Sequence, residues 1–131
     1  MKKNTILWAD DDADDLHMMR DILKKNNRAF ELIEVQNGKE AIDYLQNQPP
    51  DQLPCLIILD INMPVLDGKK ALSIIKQSEL FQSIPTVVFT TSNSELDRLY
   101  CQKYNTEMIT KPPDYKSLQS AVLRLLDFCG Q

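Results

Sequence analysis

With 131 residues, 43% of them hydrophobic and 26% charged, the chain has the length and composition of one globular domain with a proper core, which argues against disorder. A net charge of −4 without a dense Lys/Arg block argues against direct nucleic-acid binding, which depends on neutralising phosphates. The basic Met1-Lys2-Lys3 is followed by an apolar run of only Ile6 to Ala9, too short for a signal peptide or a membrane span, so a soluble cytoplasmic protein is expected.

Ile6-Leu7-Trp8-Ala9 reads as a first strand, ending in Asp10-Asp11-Asp12. Asp14 and Asp15 suit the first turn of a helix, where the dipole favours negative charge. Leu16, Met19 and Leu23 continue at helical spacing to a stop at Asn26-Asn27. Phe30 to Val35 is a second strand closed by Asn37-Gly38, and Ala41, Ile42 and Leu45 mark a second helix before the loop Pro49-Pro50-Asp51. Leu56-Ile57-Ile58-Leu59 is an uninterrupted apolar run that meets Asp60, and so reads as a strand buried on both faces. The run breaks at Pro64 and restarts after Asp67-Gly68 as a helix carrying Ala71, Leu72 and Ile75. Thr86 to Thr90 is a fourth strand. Ser94 is a good N-cap for a helix whose Leu96, Leu99 and Tyr100 are expected mostly in the core. Glu107 to Thr110 is a fifth strand, followed by Lys111-Pro112-Pro113 and a last helix through Leu118, Ala121, Val122, Leu125 and Leu126. Cys55, Cys101 and Cys129 are far apart and odd in number, which suits a reduced protein with small buried thiols better than a disulfide framework or a metal cluster.

Strands alternating with helices imply an α/β fold: a doubly wound, five-stranded parallel sheet, with the flavodoxin-like order 2-1-3-4-5 as the leading topology. In that order the first and third strands flank the switch point where a ligand crevice opens. Asp10 and Asp11, Asp60, Thr90 and Lys111 each follow an apolar run, at strand ends that share one rim. Three converging carboxylates need a cation, and Mg2+ fits their oxygen chemistry. A carboxylate can itself be a nucleophile for a phosphoryl group, with a Lys and a hydroxyl balancing the phosphoryl charge.

Taken in order, Asp10-Asp11, Asp60 with Met63-Pro64 and Asp67-Gly68, Thr90 and Lys111-Pro112 resemble the response-regulator receiver domains of two-component and phosphorelay signalling, from Ile6 to about Phe128. The resemblance implies that Asp60 accepts a phosphoryl group from a phosphohistidine on a sensor histidine kinase or a histidine phosphotransfer protein. It implies that Asp10, Asp11, Asp60 and the backbone carbonyl of Asn62 hold Mg2+. Thr90 is then the hydroxyl that contacts the phosphoryl group, and Lys111 the partner of Asp60 or of a phosphoryl oxygen. The Lys111-Pro112 bond is expected to be cis, as in relatives. Many relatives carry an aromatic residue three positions before the Lys, where this chain has Met108, so the switch is expected to be altered.

The expectation is a stand-alone receiver that catalyses only its own phosphorylation and dephosphorylation. Its output is protein binding through the face built from the fourth helix, fifth strand and fifth helix, roughly Ser94 to Phe128, with no nucleic acid and no membrane as partner. One rival is a haloacid-dehalogenase-like phosphatase with Asp10 as nucleophile in Asp10-x-Asp12. It leaves Asp60 unexplained. A second rival is a phosphate-independent interaction module of receiver shape. Asp12, Asp14 and Asp15 are read as a solvated, helix-capping cluster, His17 as solvent-facing and Trp8 as core.

Overall fold

The computed structural model describes residues 4–26 and 30–129. Met1-Lys2-Lys3 and Asn27 lie outside the described residues. Five strands, β1 (Thr5–Ala9), β2 (Glu31–Val35), β3 (Leu56–Leu59), β4 (Thr86–Thr90) and β5 (Glu107–Thr110), alternate with α1 (Ala13–Lys25), α2 (Gly38–Gln46), α3 (Gly68–Lys76), α4 (Glu95–Lys103) and α5 (Tyr115–Leu125). The strands form one parallel sheet in the order β2-β1-β3-β4-β5, the expected topology.

Side-chain alternation along the strands builds two cores, one on each face. Leu7, Ala9, Ile57, Leu59, Val88 and Met108 point to the face covered by α2, α3 and α4, where they meet Ala41, Leu45, Leu72, Ile75 and Cys101. Ile6, Trp8, Leu56, Ile58, Val87 and Phe89 point to the other face, covered by α1 and α5. Trp8 and Phe89 meet edge to face there, ring centroids 6.0 Å apart. Because β3 is buried along its whole length, its last peptide carries the next residue, Asp60, into a largely dry site.

Every α-helix starts on a residue whose side chain accepts a hydrogen bond from the first turn: Asp12, Asn37, Asp67, Ser94 and Asp114. α4 stops at Tyr104, and Asn105 takes the left-handed backbone (φ 54°) that Asn tolerates better than most residues.

Three expectations are corrected. Leu96 and Leu99 are not core: they are 76% and 50% exposed, and Cys101 is the buried residue of α4. Their spacing marks one stripe of α4, but the helix turns the Asp97–Cys101 side toward the protein. The Pro49-Pro50-Asp51 loop includes a 3-10 turn, Pro50–Gln52. Cys55 and Cys129 are joined as a disulfide, their Cα atoms 5.0 Å apart, because the start of β3 and the chain segment after α5 lie at the same end of the sheet. Only Cys101 remains a buried free thiol among the described residues. No described helix is long and apolar enough to cross a membrane.

Candidate functional site

β1 and β3 are neighbours, and each runs directly into an aspartate. The Asp10 N–H donates to Val35 O (3.0 Å) and the Asp60 N–H to Ala9 O (3.0 Å). The ladder thus continues one residue past each strand, which fixes the two Cα positions before any side chain is considered. Asp10 is fully buried and Asp60 nearly so, while Asp11 is exposed.

Lys111 enters from the end of β5. Its N–H donates to Thr90 O (2.7 Å), carrying the β4–β5 pairing one step further. The described residues contain no cis peptide bond, so Lys111-Pro112 is trans, contrary to expectation. The sheet hydrogen bond to Thr90 directs the Lys side chain inward without that isomer. Lys111 Nζ lies 2.7 Å from Asp10 Oδ2, 3.0 Å from Asp60 Oδ2 and 2.7 Å from Asp15 Oδ2. Its side chain is 6% exposed.

Desolvation sets the electrostatics. Burial pushes the Asp10 carboxyl up to about 6, against the hydrogen bond and charge of Lys111. Burial also opposes the charge on Lys111. The hydrogen bonds to Asp10 and Asp15, with the charge of Asp60, outweigh it and hold the ammonium above the usual lysine range.

The remaining oxygens are partly engaged. Asp10 Oδ1 accepts from the Asp12 N–H (3.0 Å) and Asp60 Oδ1 from the Ile61 N–H (2.7 Å). Carboxylate oxygens of Asp10, Asp11 and Asp60 lie within 4.8 Å of one another. Two buried carboxylates and one exposed one, all hard oxygen donors, fit Mg2+, which keeps several waters in its shell. Asn62 follows in the loop after β3, with its side chain exposed.

The β3–α3 loop folds back on itself. Gly68 N–H donates to Ile61 O (2.9 Å) and Leu66 N–H to Pro64 O (2.6 Å). Val65, 76% exposed, has φ 66°, a conformation that crowds a β-branched side chain. Val65→Gly is expected to raise stability by about 0.5–1 kcal/mol, the relief of that crowding exceeding the flexibility gained by the unfolded chain. A urea unfolding midpoint no higher than the wild type's is the contrary result.

Thr90 ends β4 fully buried, and its Oγ1 accepts from the Ser92 N–H (3.3 Å). Ser92 Oγ donates to Asp97 Oδ2 (2.7 Å), and Lys69 Nζ bonds Asp97 Oδ1 (2.9 Å), so the loop after Thr90 is tied to both α4 and α3. Lys69 and Ser92 hold the Asp97 carboxyl below the usual range. Met108 is buried, packed in the α2/α3-side core, with its carbonyl accepting from Arg98 (3.3 Å).

Asp10, Asp60 and Lys111 are therefore in direct contact, Asp11 is beside them, and Thr90 is joined to Lys111 through the backbone. Asp12 is the cap of α1, accepting from Asp14 N and Asp15 N, which leaves no support for a catalytic Asp10-x-Asp12 pair. Asp15 is the residue that sequence reasoning misplaced: it is not part of a solvated cluster but bonds Lys111. The signal was its spacing, since Asp15 precedes the buried Met19 by four and Ile22 by seven, on the inward stripe of α1. The Ser92–Asp97–Lys69 connection carried no comparable signal, because its members come from three separate segments.

The receiver family profile, described as the response regulator receiver domain, matches residues 6–123. The chain is 33% identical over 127 residues to the response regulator Rcp1 of Synechocystis sp., covering 94% of this chain and 86% of Rcp1. The crystal structure of the Mn2+-bound form of Rcp1 superposes with a TM-score of 0.86 at 32% identity, covering 96% of this chain and 94% of that one. The phosphorylated cyanobacterial phytochrome response regulator RcpA superposes with a TM-score of 0.88 at 28% identity, covering 98% of this chain and 94% of that one. With the sheet order, the strand-end carboxylates and Lys111 already in place, these matches establish that the chain belongs to the response regulator receiver domain family of two-component signalling.

Proposed function

We propose that Asp60 is a phosphoacceptor and that its phosphorylation switches protein–protein interactions. The observation that carries this reading is the contact of Lys111 with both Asp60 and Asp10 at the end of the central strands. One Asp60 oxygen attacks phosphorus, the bond from phosphorus to the donor histidine nitrogen breaks, and its electron pair stays on the imidazole. Asp10, Asp11, Asp60 and the Asn62 carbonyl are the groups that would hold Mg2+, whose chemistry here is neutralising the phosphoryl oxygens. Lys111 supplies the protein's own positive charge to the same oxygens. Thr90 offers its hydroxyl from β4, and the loop after it passes any displacement to α4 and α3 through Ser92, Asp97 and Lys69. Mn2+ in the structure of Rcp1 and phosphorylation of RcpA support the reading by likeness.

The phosphoryl donor is a sensor histidine kinase or a histidine phosphotransfer protein, and the chain turns over no other substrate. A cytoplasmic location goes with such a donor; the Cys55–Cys129 bond does not argue for it. The output surface is the α4–β5–α5 face, where Leu96 and Leu99 present apolar area to solvent. Because Met108 is already buried, an aromatic residue swinging inward is not the device that links site and surface.

The test is intact mass after incubation with acetyl phosphate and Mg2+. The expected result is one added phosphoryl group on the wild type, none on Asp60→Asn, and none after chelation. No addition to the wild type, or equal addition to both, overturns the proposal.

A further inference from the structure

We propose that Asp15 is a positioning residue that tethers Lys111 in the site while the reaction occupies the other two partners of its ammonium. This rests on the reading of Asp60 as phosphoacceptor. A lysine ammonium has three N–H donors. Here three carboxylates take them: Asp10, Asp15 and Asp60, at 2.7, 2.7 and 3.0 Å. Two of the three have other work. Asp10 belongs to the group of carboxylates able to hold a metal, and Asp60 gives an oxygen to phosphorus.

Asp15 stands outside that metal-holding group. It comes from the first turn of α1 rather than from a strand end, and its side chain is 20% exposed where that of Asp10 is 1%. When Asp10 turns to the metal, Asp15 still holds the ammonium, leaving its other donors for the phosphoryl oxygens. Without Asp15, the four-carbon stem of Lys111 has no anchor independent of the reacting groups. The neighbouring Asp14 provides the control. It carries the same charge in the same helical turn, is exposed, and makes no bond to Lys111.

The experiment compares wild type, Asp15→Asn, Asp15→Glu and Asp14→Asn in two measurements. One is Mg2+ binding by calorimetry. The other is the rate of Asp60 phosphorylation by acetyl phosphate at saturating Mg2+. A tether predicts that Asp15→Asn slows phosphorylation about tenfold or more, as loss of a supporting partner does. Its Mg2+ affinity stays within about fivefold of wild type, the effect of one partly screened charge. Asp15→Glu, which keeps the charge and can reach Lys111, restores most of the rate, and Asp14→Asn behaves as wild type. An unchanged rate in Asp15→Asn overturns the tether. So do an equal loss in Asp14→Asn, no rescue by Glu, or a collapse of Mg2+ binding in Asp15→Asn. A wild type that binds Mg2+ but takes no phosphoryl group overturns the phosphoacceptor reading and the tether with it. A normal wild type beside an unchanged Asp15→Asn overturns the tether alone.

Discussion

Replacing Lys111 by Met is expected to lower the stability of the metal-free protein by about 3–5 kcal/mol at neutral pH, the usual cost of removing one partner from a buried ion pair. Met preserves most of the stem and removes the ammonium, so the loss is electrostatic rather than a cavity. What remains is Asp10, fully buried, beside Asp60 and Asp15 with no positive charge among them. Even with Lys111 present, burial raises the Asp10 carboxyl to about 6 from its ordinary 3.8. Removing the lysine raises it further. A carboxyl whose folded pKa lies above its unfolded value favours the folded state when protonated. Its contribution is therefore present in acid and lost as pH rises from about 4 through 6 and beyond. Lys111→Met should thus be closest to wild type near pH 4 and furthest from it at pH 7. Millimolar Mg2+ should recover part of the deficit at pH 7, because a ligand that binds only the native state stabilises it. Urea unfolding at the two pH values, with and without Mg2+, checks all three statements. Equal unfolding midpoints for variant and wild type at pH 7 would show that the carboxylates do not depend on Lys111.

The parts of this arrangement that were legible in the sequence are those where two physical signals coincide at one residue. Asp60 and Asp10 stand out because a charge directly after a buried apolar run has to be satisfied by a partner, and the parallel topology places both ends on one rim. Lys111 is legible on another ground, its place directly after β5 and before two prolines, since β5 itself is only half apolar. Asp15 is hidden because an acid in the first turn of a helix already has a sufficient local explanation in the dipole, which masks its inward spacing with Met19 and Ile22. Leu96 and Leu99 were misplaced for a related reason. Helical spacing of apolar residues identifies a stripe, but not whether the stripe faces the protein or a partner, and on α4 the inward side is held by Cys101 and the bonded Asp97. The Cys55–Cys129 bond links residues separated by 74 positions, so only the tertiary path of the chain could reveal it. In the chain-entropy account a bridge closing a loop of that length stabilises by about 4 kcal/mol.

Gly68→Ala is expected to cost about 3 kcal/mol of stability, at the upper end for overpacking, and to slow phosphorylation of Asp60 as well. A Cβ at this position would fall 1.9 Å from Asp60 O, 2.8 Å from Asp60 C and 2.9 Å from Ile61 Cα. All three are main-chain atoms at the end of β3, so no rotamer change can relieve the contact. The backbone of residue 68 is not in a left-handed conformation that only glycine favours. The requirement for glycine is one of distance: the start of α3 packs directly on the peptide that carries Asp60. Relief demands that α3 retreat or that the Asp60 peptide shift. Retreat breaks the Gly68 N–H bond to Ile61 O and opens the packing of Ala71 and Leu72 on β3. A shift moves Asp60 away from Lys111, whose 3.0 Å contact allows little displacement before the hydrogen bond is lost. Stability and chemistry should therefore fall together in this variant. Val65→Gly, in the same loop but away from the strand end, should leave phosphorylation unchanged. Measuring urea unfolding and the phosphorylation rate on the two variants separates a loop that merely connects β3 to α3 from one whose tight packing fixes Asp60. Gly68→Ala with a wild-type rate would exclude the second.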